Sequence, residues 1–308
     1  MRSGEHLGML RILAATRDGL RAFDERGHEE AAQHAGRDVT AVVRDGPQLW
    51  AIVDRVEVWY APEEEWRHVA TLEGEEGTCL AMTDAIHVGS SRARLFLLTD
   101  GTLEPVPAFD AADGRETWYT PWGGPPETRS ISEWANDVYV SVHVGGILHT
   151  ADSGASWNPT IDIDADVHQV ATAKGLVLAA GARGLSTSID KGATWTLRTD
   201  GLEARYSRAV VVCGDRVLVS TSDGPWDGRA GIYRANLVSG AFERCRAGLP
   251  EWFDDNIDTY CLDALNDGSY AAFGTADGRV YGSDDGGLTW LELVTGLPPL
   301  QHLLVVPD

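Results

Sequence analysis

Residues 128–170 read TRSISEWANDVYVSVHVGGILHTADSGASWNPTIDIDADVHQV, one complete structural unit and the start of the next. Residues 129–134 predict a short strand, and 138–144 (VYVSVHV) alternate as a second. Gly145 and Gly146 make a turn, 147–150 form a third strand, and 151–155 turn the chain into a fourth around Trp157. Period-two alternation with turn residues every few positions argues for antiparallel β structure and against any helical period. The unit restarts at His168.

The turn before Trp157 has the form S/T-x-D-x-G-x-S/T-W and occurs three times. Its copies run from Thr150 through Asp152 and Gly154 to Trp157, from Ser188 through Asp190 and Gly192 to Trp195, and from Ser283 through Asp285 and Gly287 to Trp290. A carboxylate at the third position can accept hydrogen bonds from backbone N–H groups of its own turn. Glycine at the fifth supplies a positive φ without a Cβ clash, and the tryptophan covers the hairpin base with a large apolar ring. These three aspartates are therefore read as structural rather than catalytic. The motif resembles the Asp-box (BNR) repeat of sialidases, sortilin-type receptors and bacterial and plastid assembly-factor propellers. That resemblance implies a β-propeller over nearly the whole chain, but leaves the activity open, because the architecture hosts enzymes, receptors and assembly factors alike.

Composition agrees with a turn-rich β protein. The chain has 308 residues, 43% of them hydrophobic, with 34 glycines and 11 tryptophans. A net charge of −22 disfavours nucleic acid and anionic membranes as partners. Lysine occurs only at 174 and 191. A surface so acidic and poor in lysine fits a salt-rich cytoplasm, where screening weakens self-repulsion, or a genome that favours arginine codons. The four cysteines (Cys79, Cys213, Cys245, Cys261) show no metal-type spacing and read as core thiols. The apolar run at 9–15 is interrupted by Arg11 and is too short for a signal segment, and no run is long enough to span a membrane. A cytoplasmic protein is expected.

First strands of successive units are predicted to begin near Thr40, Cys79, Arg129, His168, Arg208, Thr259 and His302. Their spacing of about 40–50 residues is that of a four-stranded propeller blade. Residues 10–16, 17–19 and 20–23 match the second strand, turn and third strand of a unit, so the chain starts in the middle of a repeat. The last start reaches the C-terminus after one strand, and residues 10–35 offer the strands it lacks. The expectation is an all-β fold: one seven-bladed propeller over residues 9–308, with six or eight blades as alternatives because the first two units are degenerate, closed by pairing N- and C-terminal strands, which removes two sheet edges. Residues 1–8 are read as a flexible tail. Longer intervals place insertions at 118–126, 222–231 and 248–256, and long loops on a rigid scaffold are where binding residues concentrate.

In such a blade the first strand begins, and the second ends, on one face; the three repeated turns lie on the other. The first face therefore gathers Arg129, His143, Asp166, His168, Tyr206, Arg208, Asp258 and His302 around one channel mouth, with Trp122 and Trp226 in loops leading to it. Two guanidinium groups in an acidic protein suggest an anion site for carboxylate or phosphate. The expected function is a binding or assembly propeller, holding an anionic small molecule or an acidic segment of a protein partner through Arg129, His143, His168, Tyr206, Arg208, His302 and Trp122. The rival is a hydrolase of glycosidase type, or a lyase, with Asp166 and Asp258 as acid/base carboxylates and Arg129 and Arg208 clamping the substrate anion. A sialidase proper also needs a third arginine, a glutamate activating the tyrosine and an Arg-Ile-Pro motif. No third arginine falls at a first-strand start, Glu203 is near Tyr206 only in sequence, and the motif is absent. No cofactor is expected; a divalent metal on His143, His168 and a carboxylate is a further chemistry without local His spacing to support it.

Overall fold

The computed structural model describes residues 10–63, 65–226 and 228–307; the tail expected over residues 1–8 lies outside them. Seven four-stranded antiparallel sheets stand around a common axis as a β-propeller. The ring is closed by β28 (Leu300–Pro307), which pairs antiparallel with β1 (Leu10–Thr16), Leu13 opposite Leu304 and Arg11 opposite Val306. The C-terminal strand is thus the innermost strand of the closing blade, and the N-terminal segment supplies β1, β2 (Gly19–Asp24) and β3 (Glu29–Gln33).

The other innermost strands are β4 (Val39–Asp45), β8 (Gly77–Met82), β12 (Thr128–Trp134), β16 (Val167–Ala173), β20 (Tyr206–Cys213) and β24 (Leu262–Ala264). Second strands such as β13 (Asp137–Val142) and β17 (Leu176–Gly181) are buried at every position, because both of their faces pack against neighbouring blades. That double burial explains why their alternation carries no polar partner face. Between the third and fourth blades, Tyr139 and Ile147 pack on Val167, Val170, Val177 and Ala179. All four cysteines are free and buried. One helical turn, α1 (Pro107–Asp110), occupies the insertion before β12 and buries Phe109 against Trp157, the rings 5.2 Å apart edge to face.

The three repeated turns carry the bonds that their sequence requires. Asp152 accepts from Ser156 N at 2.9 Å, from Ser156 Oγ at 2.7 Å and from Thr150 Oγ1 at 2.7 Å. Asp190 accepts from Thr194 N, Thr194 Oγ1 and Ser188 Oγ, and Asp285 from Thr289 N, Thr289 Oγ1 and Ser283 Oγ. Gly154, Gly192 and Gly287 have φ of 83°, 89° and 82°. Trp157 and Trp290 are buried, and the Trp195 indole donates to Thr160 O at 2.8 Å, binding its turn to the preceding blade.

The sixth blade departs from the regular pattern. Its inner strand, expected from Thr259, begins only at Leu262 because the preceding residues cross the channel. Tyr260 takes φ 63°, uncommon for a bulky residue. Its hydroxyl accepts from Ile131 N at 2.9 Å and donates to Ile131 O at 3.3 Å, tying the sixth blade to the third. Thr259 Oγ1 donates to the carbonyls of His168 and Arg208, and the Gln169 side chain accepts from Tyr260 N. Tyr260 therefore plugs the channel. Below the plug, Asp263 accepts from Val305 N at 2.7 Å, and burial pushes its carboxyl from 3.8 up to about 6.

Two outcomes follow from this plug. Tyr260→Phe leaves the buried Ile131 N–H and carbonyl without partners and lowers unfolding free energy by about 1–3 kcal/mol, read as a shift in the chemical denaturation midpoint. Asp263 is raised in the folded chain, so between about pH 4 and 6 the native state holds a proton that the unfolded state lacks. Stability falls as pH rises through that window. Asp263→Asn removes this fall, and thermal unfolding at pH 4.5 and 7.5 should show the variant gaining on the parent only at the higher pH.

Candidate functional site

The plug converts the channel mouth into a cup. Thr259 and Tyr260 form its floor, Thr40, Thr78 and Thr128 stand at first-strand starts on its wall, and Gln301 enters from β28; the cavity is about 450 Å³. Four arginines line it: Arg17, Arg55, Arg129 and Arg208, against two carboxylates, Glu127 and Asp258. In a chain of net charge −22 this is a local reversal of sign.

Three of the four guanidinium groups have protein partners. Arg55 Nε is 3.1 Å from Asp38 and its Nη1 3.2 Å from Glu76. Arg129 Nε is 3.3 Å from Glu127, and its Nη2 lies 3.2 Å from both nitrogens of His143. Arg208 Nη1 meets Asp258 at 2.6 Å, while Nη2 donates to Pro225 O at 2.9 Å. Arg17, exposed at the lip, makes no ion pair or side-chain hydrogen bond with any described residue. Asp38 takes its second contact from Gln301 Nε2, which orients that amide at the cup edge.

Arg129, Arg208 and Asp258, all expected at the mouth, do line the cup. His143, Asp166, His168 and Tyr206 instead form a group beside it, the two histidines buried and Asp166 and Tyr206 half-buried, under the rim of the third to fifth blades. The His168 ring packs on Tyr206, centroids 4.6 Å apart, and Arg208 lies over the Tyr206 ring at 5.4 Å. His302 belongs to neither set: it is buried below the floor, its ring stacked on Tyr260 at 4.7 Å and 8°. The expectation that it faces the opening is corrected by the plug, which lies over it. Burial holds His302 at about 3, and burial together with Arg129 holds His143 at about 3, so both are neutral.

Trp122 and Trp226 stand on the rim, 59% and 78% exposed. They come from loops a hundred positions apart in sequence, yet their rings meet at 6.1 Å, near edge to face. Trp122 also covers His143, centroids 4.7 Å apart.

The acid/base reading asks for a carboxyl raised toward neutrality. Asp166 goes the other way: burial raises it, but the positive charge of Arg129 beside it helps to hold it below the usual range. Burial pushes the Tyr206 phenol up, away from a nucleophile's needs, and Glu203 is spent on Arg244 and Arg246. The raised carboxyl, Asp263, lies on the far side of the plug. Among the described residues no three His, Cys, Asp or Glu side chains are arranged to hold a metal ion, and no described helix is long and apolar enough to cross a membrane.

Sequence reasoning had missed Arg17, Arg55 and Gln301. A signal for the two arginines was present: each follows the second strand of its blade, Arg17 after LRILAAT and Arg55 after QLWAIV, the position that also delivers His143. Gln301 carried none, since one glutamine at a strand start is unremarkable in sequence.

No protein-family model matches the chain, and no curated protein matches its sequence. Solved structures do resemble it. A Bacteroides uniformis protein provisionally assigned as a 6-phosphogluconolactonase superposes with TM-score 0.66 at 13% identity, covering 97% of this chain and 100% of that one. YCF48 from Cyanidioschyzon merolae gives 0.60 at 16% identity over 88% and 95%, and a YCF48 bound to D1 peptide gives 0.60 at 13% over 97% and 96%. An ancestral GH74 enzyme gives 0.58 at 14% identity, covering 96% of this chain and 39% of that one. At such identities the likeness is one of architecture: this chain is a β-propeller whose neighbours include both enzymes and peptide binders.

Proposed function

We propose that this propeller is a binding protein whose cup receives an anionic group, a carboxylate in the first instance, presented by an acidic segment of a protein partner or by a small molecule. The observation that carries this reading is the convergence of four arginines on one cavity of an otherwise strongly acidic chain. Arginine forks match planar carboxylates in two-point contacts. Thr40 Oγ1, buried without a partner among the described residues, supplies a further donor on the cup wall. The open rim with two exposed tryptophans suits a ligand that extends out of the cup, and aromatic side chains of this kind dominate binding energy at interfaces. Among architectural neighbours, a YCF48 holds a D1 peptide, which favours the partner segment as occupant. The hydrolase or lyase alternative keeps Asp258 as a candidate but loses Asp166 as a proton donor, because that carboxyl is held ionised.

Calorimetric titration with succinate, inorganic phosphate and a tetraglutamate peptide tests the reading. Arg129→Ala and Arg208→Ala should each weaken binding at least tenfold, since a charge-assisted hydrogen bond contributes about 1.5–3 kcal/mol. Arg17→Ala should weaken it less, being exposed and screened. Asp258→Asn should tighten binding severalfold, because Asp258 occupies Arg208 in the empty cup. Unchanged affinity in both Arg129→Ala and Arg208→Ala would remove the anion site.

A further inference from the structure

Beside the cup is a set of buried acceptors that the anion reading leaves unused. Asp166 follows a 3-10 turn (Ile163–Ala165) in the left-handed region, φ 44° and ψ 68°, which sends its carboxylate between His143 and His168. His168 Nδ1 lies 2.6 Å from Ser207 O. A carbonyl only accepts, so Nδ1 carries the proton, and in the neutral ring Nε2 presents a lone pair. Burial keeps His168 below its ordinary value, hence neutral near pH 7. Nε2 then faces Asp166 Oδ2 at 3.6 Å, acceptor against acceptor and beyond hydrogen-bond reach.

The other oxygen fares no better. Asp166 Oδ1 is 3.8 Å from His143 Nε2, and both Oδ1 and His168 Nε2 are buried without a hydrogen-bond partner among the described residues. The His168 side chain is wholly inaccessible, whereas Asp166 keeps 22% of its side chain exposed, enough for approach from the rim. The nearest cation does not pair with it: Arg129 is engaged by Glu127 and His143. A buried carboxylate oxygen without a donor, as Oδ1 is among the described residues, is costly, and a group that would relieve both it and His168 Nε2 must bring several N–H bonds and positive charge. Aromatic rings stand around this corner, Trp122 against His143 and Tyr206 against His168.

We propose that Asp166 and Nε2 of His168 form a receptor for a primary ammonium group, carried by the same ligand whose anionic end sits among the arginines, so that the ligand is zwitterionic. This rests on the reading of the cup as an anion site. Arg129 joins the two halves, lining the cup with one side of its fork and touching His143 with the other. An amino acid, or a peptide segment offering both an amine and a carboxylate, has the required chemistry; an anion alone fills half of the site.

The test uses the full chain and two series of probes: glycine, β-alanine and γ-aminobutyrate, and the matched carboxylates acetate, propionate and butyrate, with methylammonium chloride alone as a third arm. The expected result is that one amino acid binds at least tenfold more tightly than its carboxylate counterpart. In Asp166→Asn that gain should vanish while carboxylate binding is retained or tightened, since the negative charge beside Arg129 is gone. Asparagine tolerates the left-handed backbone and its amide can donate to His168 Nε2, so this variant should fold, with a melting temperature equal to or above the parent's. Equal affinity for the two series, a water having filled the corner, overturns the proposal and leaves the arginine reading intact. A gain that survives Asp166→Asn overturns it too. Methylammonium binding that is lost in Asp166→Asn, with no carboxylate binding, keeps the ammonium receptor and overturns the anion cup. Failure of all three arms overturns both.

Discussion

The antiparallel pairing of β1 with β28 is the constraint on which the rest depends. A propeller is a row of sheets, each burying its faces only against its neighbours, so an open row would leave two apolar faces and two unpaired edges in water. Leu13 against Leu304 and Ile12 against Val305 close the row with backbone hydrogen bonds and buried side chains together. Only once the ring is closed do residues near position 17 and near position 301 stand on one wall with Arg129 and Arg208. The site is a product of closure before it is a product of any blade.

Closure alone would leave a channel. The sixth blade supplies a floor by giving up the first part of its inner strand and sending Tyr260 across to the Ile131 backbone, 129 positions away in sequence. The backbone strain at Tyr260 persists because hydrogen bonds from Thr259, Gln169 and Ile131 over-determine it. The floor has electrostatic consequences. Arginines that would face a water-filled tube instead face a shallow, partly desolvated cup, where their attraction for an anion is less screened. Deeper in the channel, burial keeps His302 neutral and raises the Asp263 carboxyl to about 6.

The charge pattern of the mouth is self-compensating and asymmetric. Glu127, Asp38, Glu76 and Asp258 hold three arginines in place while the cup is empty, which keeps long cationic side chains ordered without leaving bare charge. A ligand must compete with these carboxylates, so selectivity depends on geometry: two-point contacts, depth of the cup, and what the rim tryptophans touch. One side of the mouth is basic, and its neighbour under the rim is rich in acceptors. That polarity across a few side chains, rather than the net charge of the chain, sets which ligands fit.

The blade repeat was legible in the chain because it is written locally. The alternation of VYVSVHV reports a strand, and the Asp152-Gly154-Trp157 spacing reports a turn whose hydrogen bonds all fall within a few residues. The spacing of strand starts, together with a beginning in mid-repeat, reports the ring and its closure. Membership of Arg129, Arg208 and Asp258 in one mouth followed from that same register. The floor was not legible, because Tyr260 lies in a segment whose pattern reads as strand and whose departure from it depends on a hydroxyl finding a backbone three blades away. For that reason His302 was expected at the opening and lies beneath it. The grouping of His143, Asp166 and His168 apart from the arginines was equally undetermined, since burial and the tautomer of His168 are set by Ser207 and by ring contacts from other blades. The sequence by itself determined the blade repeat, its order and the mid-repeat start that closes the ring, because those rest on periodicity and short-range turns; the tertiary structure fixed the count at seven and alone decided the depth of the cup and which charges face it, because those rest on contacts between segments that only the closed ring brings together.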